Sequence, residues 1–341
     1  MSRYSAQSYS IGDAEVYCLK DQLSGAETHI WPGFGNNCLS LALPSPDGGL
    51  TSVIDDLSFI HALPARPNRY GTPILFPWPG SIPQGRFRFE GKDYQLGQLS
   101  ARGTADHGFV DRLPWKVVRM EASDSGAVLS SMIDAAACAS LSQGYPFDFE
   151  LVLTYGLEPD GFILKIAVKN KGSERMPFGF GAHPFFTIPL GRKGSRGDCR
   201  LSVDVEKRWL LEAVLEPGTF SKNPDSGPFW SDVPQEIREP DGQQLDEQQF
   251  NNVYKAAVRA GESRKNVVVD PHNKRRVTVT ASEGFKTLVV YTPPDRNAMA
   301  IEPWTCTVNA FNLAAQNVPN SGLLAVKPGE SWNGWMRIKL D

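Results

Sequence analysis

Apolar and polar positions alternate along much of this chain, and stretches with a helical period are scarce. Arg86-Phe87-Arg88-Phe89-Glu90 alternates, Gly91-Lys92-Asp93 has turn character, and Tyr94-Gln95-Leu96 resumes the pattern. This predicts a hairpin with a glycine in its turn. Residues 149–155 and 162–168 read as a strand pair joined by residues 156–161. Within that connection Pro159 presets φ and Gly161 accepts a positive φ. Residues 115–120, 267–269, 277–280, 287–291 and 335–340 are short and rich in β-branched or aromatic side chains, so they read as further strands. Residues 189–198 and 217–249 lack periodicity and read as irregular loops. Many short strands separated by turns predict an all-β sandwich or barrel. No linker or repeat interrupts the pattern, so residues 1–341 are expected to form one domain.

Composition narrows this picture. The 31 glycines and 26 prolines punctuate apolar strands, which fits a turn-rich fold rather than disorder. A net charge of −3 with both signs intermixed argues against nucleic acid as a partner. It offers no polybasic segment for a membrane surface either. Five widely spaced cysteines without a CxxC motif suggest reduced thiols. The first residues lack a signal-like apolar run, and no segment approaches bilayer-spanning length, so a cytoplasmic location is expected.

Three residues carry candidate chemistry. His183 lies in Gly181-Ala182-His183-Pro184-Phe185-Phe186. The glycines before it permit close backbone approach, and Pro184 favours an extended conformation. An imidazole at a strand end among aromatics suits general acid catalysis near neutral pH. The same residues equally fit a core histidine satisfied by a carbonyl. His107 opens His107-Gly108-Phe109 and alone would be a turn histidine; Gly108 points to close backbone approach. Glu302 lies in Ala300-Ile301-Glu302-Pro303-Trp304, where apolar surroundings would raise its pKa and make it a base near neutral pH. The plain alternative is an exposed glutamate at a strand end. Trp78, Trp115, Tyr291 and Trp304 offer flat faces for the C–H surface of a sugar, or simply fill the core. Dinucleotide, P-loop, HExxH and GxSxG motifs are absent, which narrows the choice of chemistry. His107, His183 and His272 could in principle form a metal site, which their wide separation neither supports nor excludes.

Taken in chain order, these motifs resemble the aldose 1-epimerase (mutarotase) family. The resemblance runs through Pro73-Ile74-Leu75-Phe76-Pro77-Trp78-Pro79, then Gly85-Arg86-Phe87 with Gly91 and Tyr94, then His107-Gly108-Phe109 with Trp115 downstream. It continues through the His183 motif and Glu302-Pro303-Trp304 to Pro328-Gly329-Glu330. The resemblance implies a large β-sandwich of the galactose mutarotase type with its site on a concave sheet face. It implies Glu302 as base and His183 as acid in opening a sugar ring. His107, Asn251, Arg86, Trp78 and Trp304 would bind the substrate, a small-molecule sugar, without cofactor or metal. Two positions depart from the family pattern. Gly80-Ser81 stands where an Asn-Arg pair is common, leaving Arg69 or Arg86 to supply a guanidinium. Asn251 stands where an aspartate is common, which removes a charge-assisted hydrogen bond. The expected activity is interconversion of α and β anomers of an aldohexose. The alternatives are a hexose-6-phosphate mutarotase, for which Arg192, Lys193 and Arg196 form a basic cluster, and a non-catalytic carbohydrate-binding protein on the same fold.

Overall fold

Alternation places one face of each strand against a shared interior, and two large antiparallel sheets result. The structure is a computed structural model that describes residues 2–97, 99–138, 141, 145–215, 229–246, 249–257 and 265–341. The front sheet starts as a meander of Tyr4–Ile11, Ala14–Asp21, Glu27–Trp31, Asn37–Pro44 and Leu50–Ile54. It continues through Phe185–Thr187, Ala298–Trp304, Thr287–Tyr291, Asn251–Ala256, Val205–Trp209 and Trp230–Ser231. The back sheet runs Lys116–Ser123, Gly126–Asp134, Phe149–Glu158, Gly161–Asn170, Ser331–Leu340, Arg275–Ala281, Asn266–Asp270, Arg200–Ser202 and Gln243–Gln244. Leu41 and Ile54 from the front sheet meet Leu153, Leu164 and Ile338 from the back sheet in one buried apolar cluster. The fold is the β-sandwich of the mutarotase type expected from the sequence.

The turns are tighter than the sequence pattern suggests. Phe149–Glu158 and Gly161–Asn170 pair from Phe149↔Asn170 to Glu158↔Gly161, so Pro159 and Asp160 alone make the turn. Residues 156–158 are strand because buried Leu157 and Gly156 pack against the partner strand. In the outer hairpin Arg86–Phe89 pairs with Lys92–Gln95, and the turn falls on Glu90-Gly91. Lys92 and Asp93 thus belong to the second strand. Of the expected loop 217–249, residues 217–228, 247 and 248 lie outside the described residues. Between them Trp230–Ser231 and Gln243–Gln244 form short strands, and Glu236–Arg238 makes one 3-10 turn.

Strand Ala298–Trp304 is buried along its whole length. Met299 and Ile301 point into the inter-sheet core. Ala300, Glu302 and Trp304 alternate with them and face the opposite side, which short segments cover. Among the described residues no helix is long and apolar enough to cross a membrane.

Candidate active site

The covered face of the front sheet forms the floor of a cavity of about 820 Å³. Cross-strand register sets that floor: Val253 faces Val289, which faces Glu302, while Asn251 faces Tyr291. Residues 71–79 run above the sheet and hold both histidine motifs. Gly181–Ala182 pairs with Ile74–Leu75, and the His183 backbone N–H donates to the Pro73 carbonyl at 3.0 Å. Gly181 also pairs with Trp304. A Cβ on Gly181 would lie 2.7 Å from the Trp304 ring, which is why a glycine is needed at this crossing. The other motif is fixed by the Phe109 N–H donating to the Phe76 carbonyl at 2.9 Å. Thr104–Asp106 pairs with Ser81–Pro83 beside it.

These elements bring Glu302 and His183 together. His183 Nε2 lies 3.3 Å from Glu302 Oε1, and both side chains are almost fully enclosed. The Trp304 indole N–H donates to Glu302 Oε2 at 3.1 Å, which leaves Oε1 as the oxygen facing His183. Burial holds the Glu302 carboxyl well above the usual carboxylate range, and the Trp304 hydrogen bond opposes this. Burial likewise holds His183 well below the usual imidazole range, with neighbouring His107 adding to the effect. The His183 ring stacks on Phe185 at 4.4 Å, and the Arg296 guanidinium lies 4.5 Å from the centre of the same phenyl ring. Arg296 is itself paired with buried Asp55. This column fixes the plane of the imidazole.

His107 is held by Gly80 on two sides. Its backbone N–H donates to the Gly80 carbonyl at 2.7 Å, and its Nδ1 accepts from the Gly80 N–H at 3.2 Å. Burial pushes the imidazole down to about 4, so it is neutral near pH 7. With Nδ1 accepting, the proton of the neutral ring sits on Nε2, and His107 becomes a hydrogen-bond donor.

Glu302, His183, His107, Asn251, Trp78 and Trp304 all line this one cavity. Trp78 is nearly buried and donates its indole N–H to the Ala105 carbonyl, so it contributes wall more than platform. Trp115 is a core residue bonded to the Val110 carbonyl. Arg86 stands apart: it lies on the outer hairpin with its guanidinium on Gln95 Oε1, and it does not line the cavity. Arg69 does, donating to the Tyr291 hydroxyl at 2.7 Å beside Gly80 and Ser81. Arg192, Lys193 and Arg196 are also elsewhere, in a loop folded against His272 and Asn273. Instead Arg102 and Arg112 line the cavity, paired with Asp106 at 3.6 Å and with Asp111 at 3.7 Å. Asn68 lines it too. Among the described residues Asn68 Oδ1 and Asp106 Oδ1 are enclosed and have no hydrogen-bond partner, which leaves them as acceptors. Sequence reasoning missed Asn68, Arg102, Asp106, Asp111 and Arg112. Their signal was proximity, since four of them flank the His107 motif within a few residues.

An all-β sandwich whose cavity buries a carboxyl–imidazole pair between aromatic walls defines a recognisable class of protein. The profile of the aldose 1-epimerase family matches residues 28–339, and the chain belongs to that family. The Escherichia coli K12 protein YihR is 22% identical over 242 residues, covering 70% of this chain and 71% of that protein. A Cenchrus ciliaris protein provisionally named a glucose-6-phosphate 1-epimerase is 24% identical over 200 residues, covering 58% of this chain and 51% of that protein. Among solved structures, a galactose mutarotase-like protein from Clostridium acetobutylicum superposes with a TM-score of 0.83 at 23% identity, covering 99% of each chain.

Proposed function

We propose that this protein is an aldose 1-epimerase that interconverts the α and β anomers of an aldohexose or a closely related sugar. The observation that carries the reading is the 3.3 Å approach of His183 Nε2 to Glu302 Oε1 inside a cavity lined by aromatic, aliphatic and polar side chains. The anomeric hydroxyl and the ring oxygen share one carbon, so an acid and a base serving both must stand close together. Glu302 Oε1 takes the proton from the anomeric hydroxyl. The bond between the anomeric carbon and the ring oxygen breaks, and protonated His183 delivers its proton to that oxygen. The resulting aldehyde turns about its bond to the next carbon and recloses on the other face, with the two roles reversed. Burial alone favours the uncharged pair, Glu302 protonated and His183 neutral. Sugar hydroxyls and the Nε2–H of His107 stabilise the charged pair that the reaction starts from. Asn68, Asp106 and Asn251 accept or donate hydrogen bonds to ring hydroxyls, and Trp304 packs against the C–H face.

A second reading concerns the substrate's charge. Three guanidinium groups, Arg69, Arg102 and Arg112, line the same cavity. Guanidinium groups suit bidentate phosphate contacts, so these residues favour a sugar carrying an anionic group away from the reacting carbon.

Polarimetry of freshly dissolved α-glucose, α-galactose and α-glucose 6-phosphate tests both readings. Acceleration that disappears in Glu302→Gln is expected. Faster exchange of the phosphorylated sugar, lost in Arg102→Ala and Arg112→Ala, selects the anionic substrate. Sugar binding by calorimetry without any rate enhancement would make the protein a carbohydrate-binding module and end the catalytic reading.

A further inference from the structure

A second group of chemically capable side chains lies on the N-terminal meander. Cys18 on Ala14–Asp21 is the direct cross-strand partner of His29 on Glu27–Trp31. Glu27 stands two residues before His29, on the same face of that strand. One ligating atom from each of Cys18, Glu27 and His29 falls within 4.8 Å of the other two. The Cys18 thiol is free and buried. His29 is only 9% exposed, and among the described residues neither of its ring nitrogens has a hydrogen-bond partner. A buried imidazole with two unsatisfied nitrogens costs stability unless something binds it. Its ring meets the edge of Tyr9 at 5.9 Å, a contact that satisfies neither nitrogen. Glu27 Oε2 accepts from Lys20 Nζ at 2.8 Å, and Oε1 carries no such bond.

We propose that Cys18, Glu27 and His29 form a binding site for a single divalent transition-metal ion of the Zn2+ type. Thiolate, imidazole and carboxylate are the three donor types that Zn2+ accepts, and three protein donors leave a fourth position for water. The hard ions Mg2+ and Ca2+ do not suit a site with a sulfur and a nitrogen donor. Binding replaces the thiol proton: Cys18–SH and Zn2+ give a zinc-bound thiolate and one released proton. The ion would clasp the second and third strands of the meander, on the sheet that also bears Glu302. Neither the sugar cavity nor its residues take part.

The test is a titration of the full-length, reduced protein with Zn2+ and, separately, with Co2+. Wild type is expected to bind one ion with release of about one proton per site. Cobalt should give a thiolate-to-metal charge-transfer absorption. Cys18→Ser abolishes that absorption, and Cys18→Ser and His29→Gln each weaken binding by at least about tenfold, since even indirect partners of a metal ligand are worth that much. Glu27→Gln provides a third variant should one of these fail to fold, and Cys199→Ser, a buried thiol elsewhere, should leave binding unchanged. Absence of stoichiometric binding in wild type, or binding that survives unaltered in both Cys18→Ser and His29→Gln, overturns the proposal.

Discussion

Two strands deep in this molecule have the same backbone geometry and opposite chemistry. Gly161–Asn170 in the back sheet turns Phe162, Leu164, Ile166 and Val168 into the core and leaves Lys165 and Lys169 in solvent. Ala298–Trp304 in the front sheet buries both faces. Lys165 is hydrated and pairs loosely with Glu158 at 3.4 Å. Glu302 is almost fully enclosed, so burial raises its pKa while the Trp304 N–H opposes that and His183 stands 3.3 Å away. Covering the second face of a sheet is what turns a surface carboxylate into an enclosed one whose pKa lies well above the usual range.

The largest expected effects separate these strands. His183→Asn should lower the anomer-exchange rate by about 10²–10⁴-fold, the usual worth of a general acid. Its melting temperature should stay level or rise, because a buried imidazole with an unpartnered Nδ1 is removed. Ile166→Ala should do the reverse, costing about 2–5 kcal/mol of stability as a core truncation and leaving the rate per folded molecule intact. Polarimetry and urea denaturation read the two axes. A His183→Asn protein of unchanged rate breaks the comparison.

Gly80→Ala sharpens it. Gly80 has φ +73°, and a Cβ there would lie 2.8 Å from Val308 Cγ2. The substitution should cost about 1–3 kcal/mol and also lower kcat/KM, because the His107 ring loses its anchor. Gly91 in the outer hairpin also has positive φ, but its Cβ would meet nothing. Gly91→Ala should therefore cost stability alone, and equal kinetic losses in both variants would remove the argument for the anchor.

The pH dependence of stability tests the buried groups around the cavity. Burial pushes the Asp111 carboxyl up from 3.8 to about 6, against Arg112 and Asn68. Between those values the folded chain holds a proton that the unfolded chain has released. The contribution is therefore complete below about pH 3.8 and fades as pH rises through 6. His107 works in the opposite direction: its depressed pKa of about 4 gives a contribution present above 6.5 that fades as pH falls through 4. The two largely offset each other in mildly acid solution. Asp111→Asn should unmask His107, so the variant loses stability on acidification more steeply than wild type and gains about 1–3 kcal/mol on it above pH 6. Denaturation midpoints across this range measure the difference.

The smallest expected effect is Arg86→Ala, within about 0.5 kcal/mol of wild type in stability as a surface change and without effect on KM. Arg69→Ala should raise KM while leaving kcat nearly unchanged. A matching rise in both variants would mean that the outer hairpin reaches the substrate.

Much of the back sheet was legible, because residues 149–155 and 162–168 alternate with one solvent face. Its turn ends were not, since Gly156 and Leu157 look like turn chemistry until their cross-strand partners are known. The N-terminal meander was missed altogether. Ser5, Ser8 and Ser10 dilute the alternation of its first strand, whose outer positions are largely exposed. In the site, Glu302, His183 and His107 were legible through their short motifs. Arg69 was named only as one of two possible guanidiniums, and Arg102 and Arg112 were not seen, because a guanidinium reaches its target through a long side chain whose direction depends on loop paths. Proximity in sequence misled in one case: Arg86 follows the Trp78 segment closely, yet the hairpin carries it away.

The place of Ser331–Leu340 in the back sheet bears on how the chain comes to be folded during synthesis. This strand lies between Gly161–Asn170 and Arg275–Ala281. Without it the back sheet would be two pieces, each with an unsatisfied edge. Closing such a seam joins segments far apart in sequence, which is the slow kind of contact. Any partly folded chain that lacks this strand would display two complementary open edges, to which a second chain could pair.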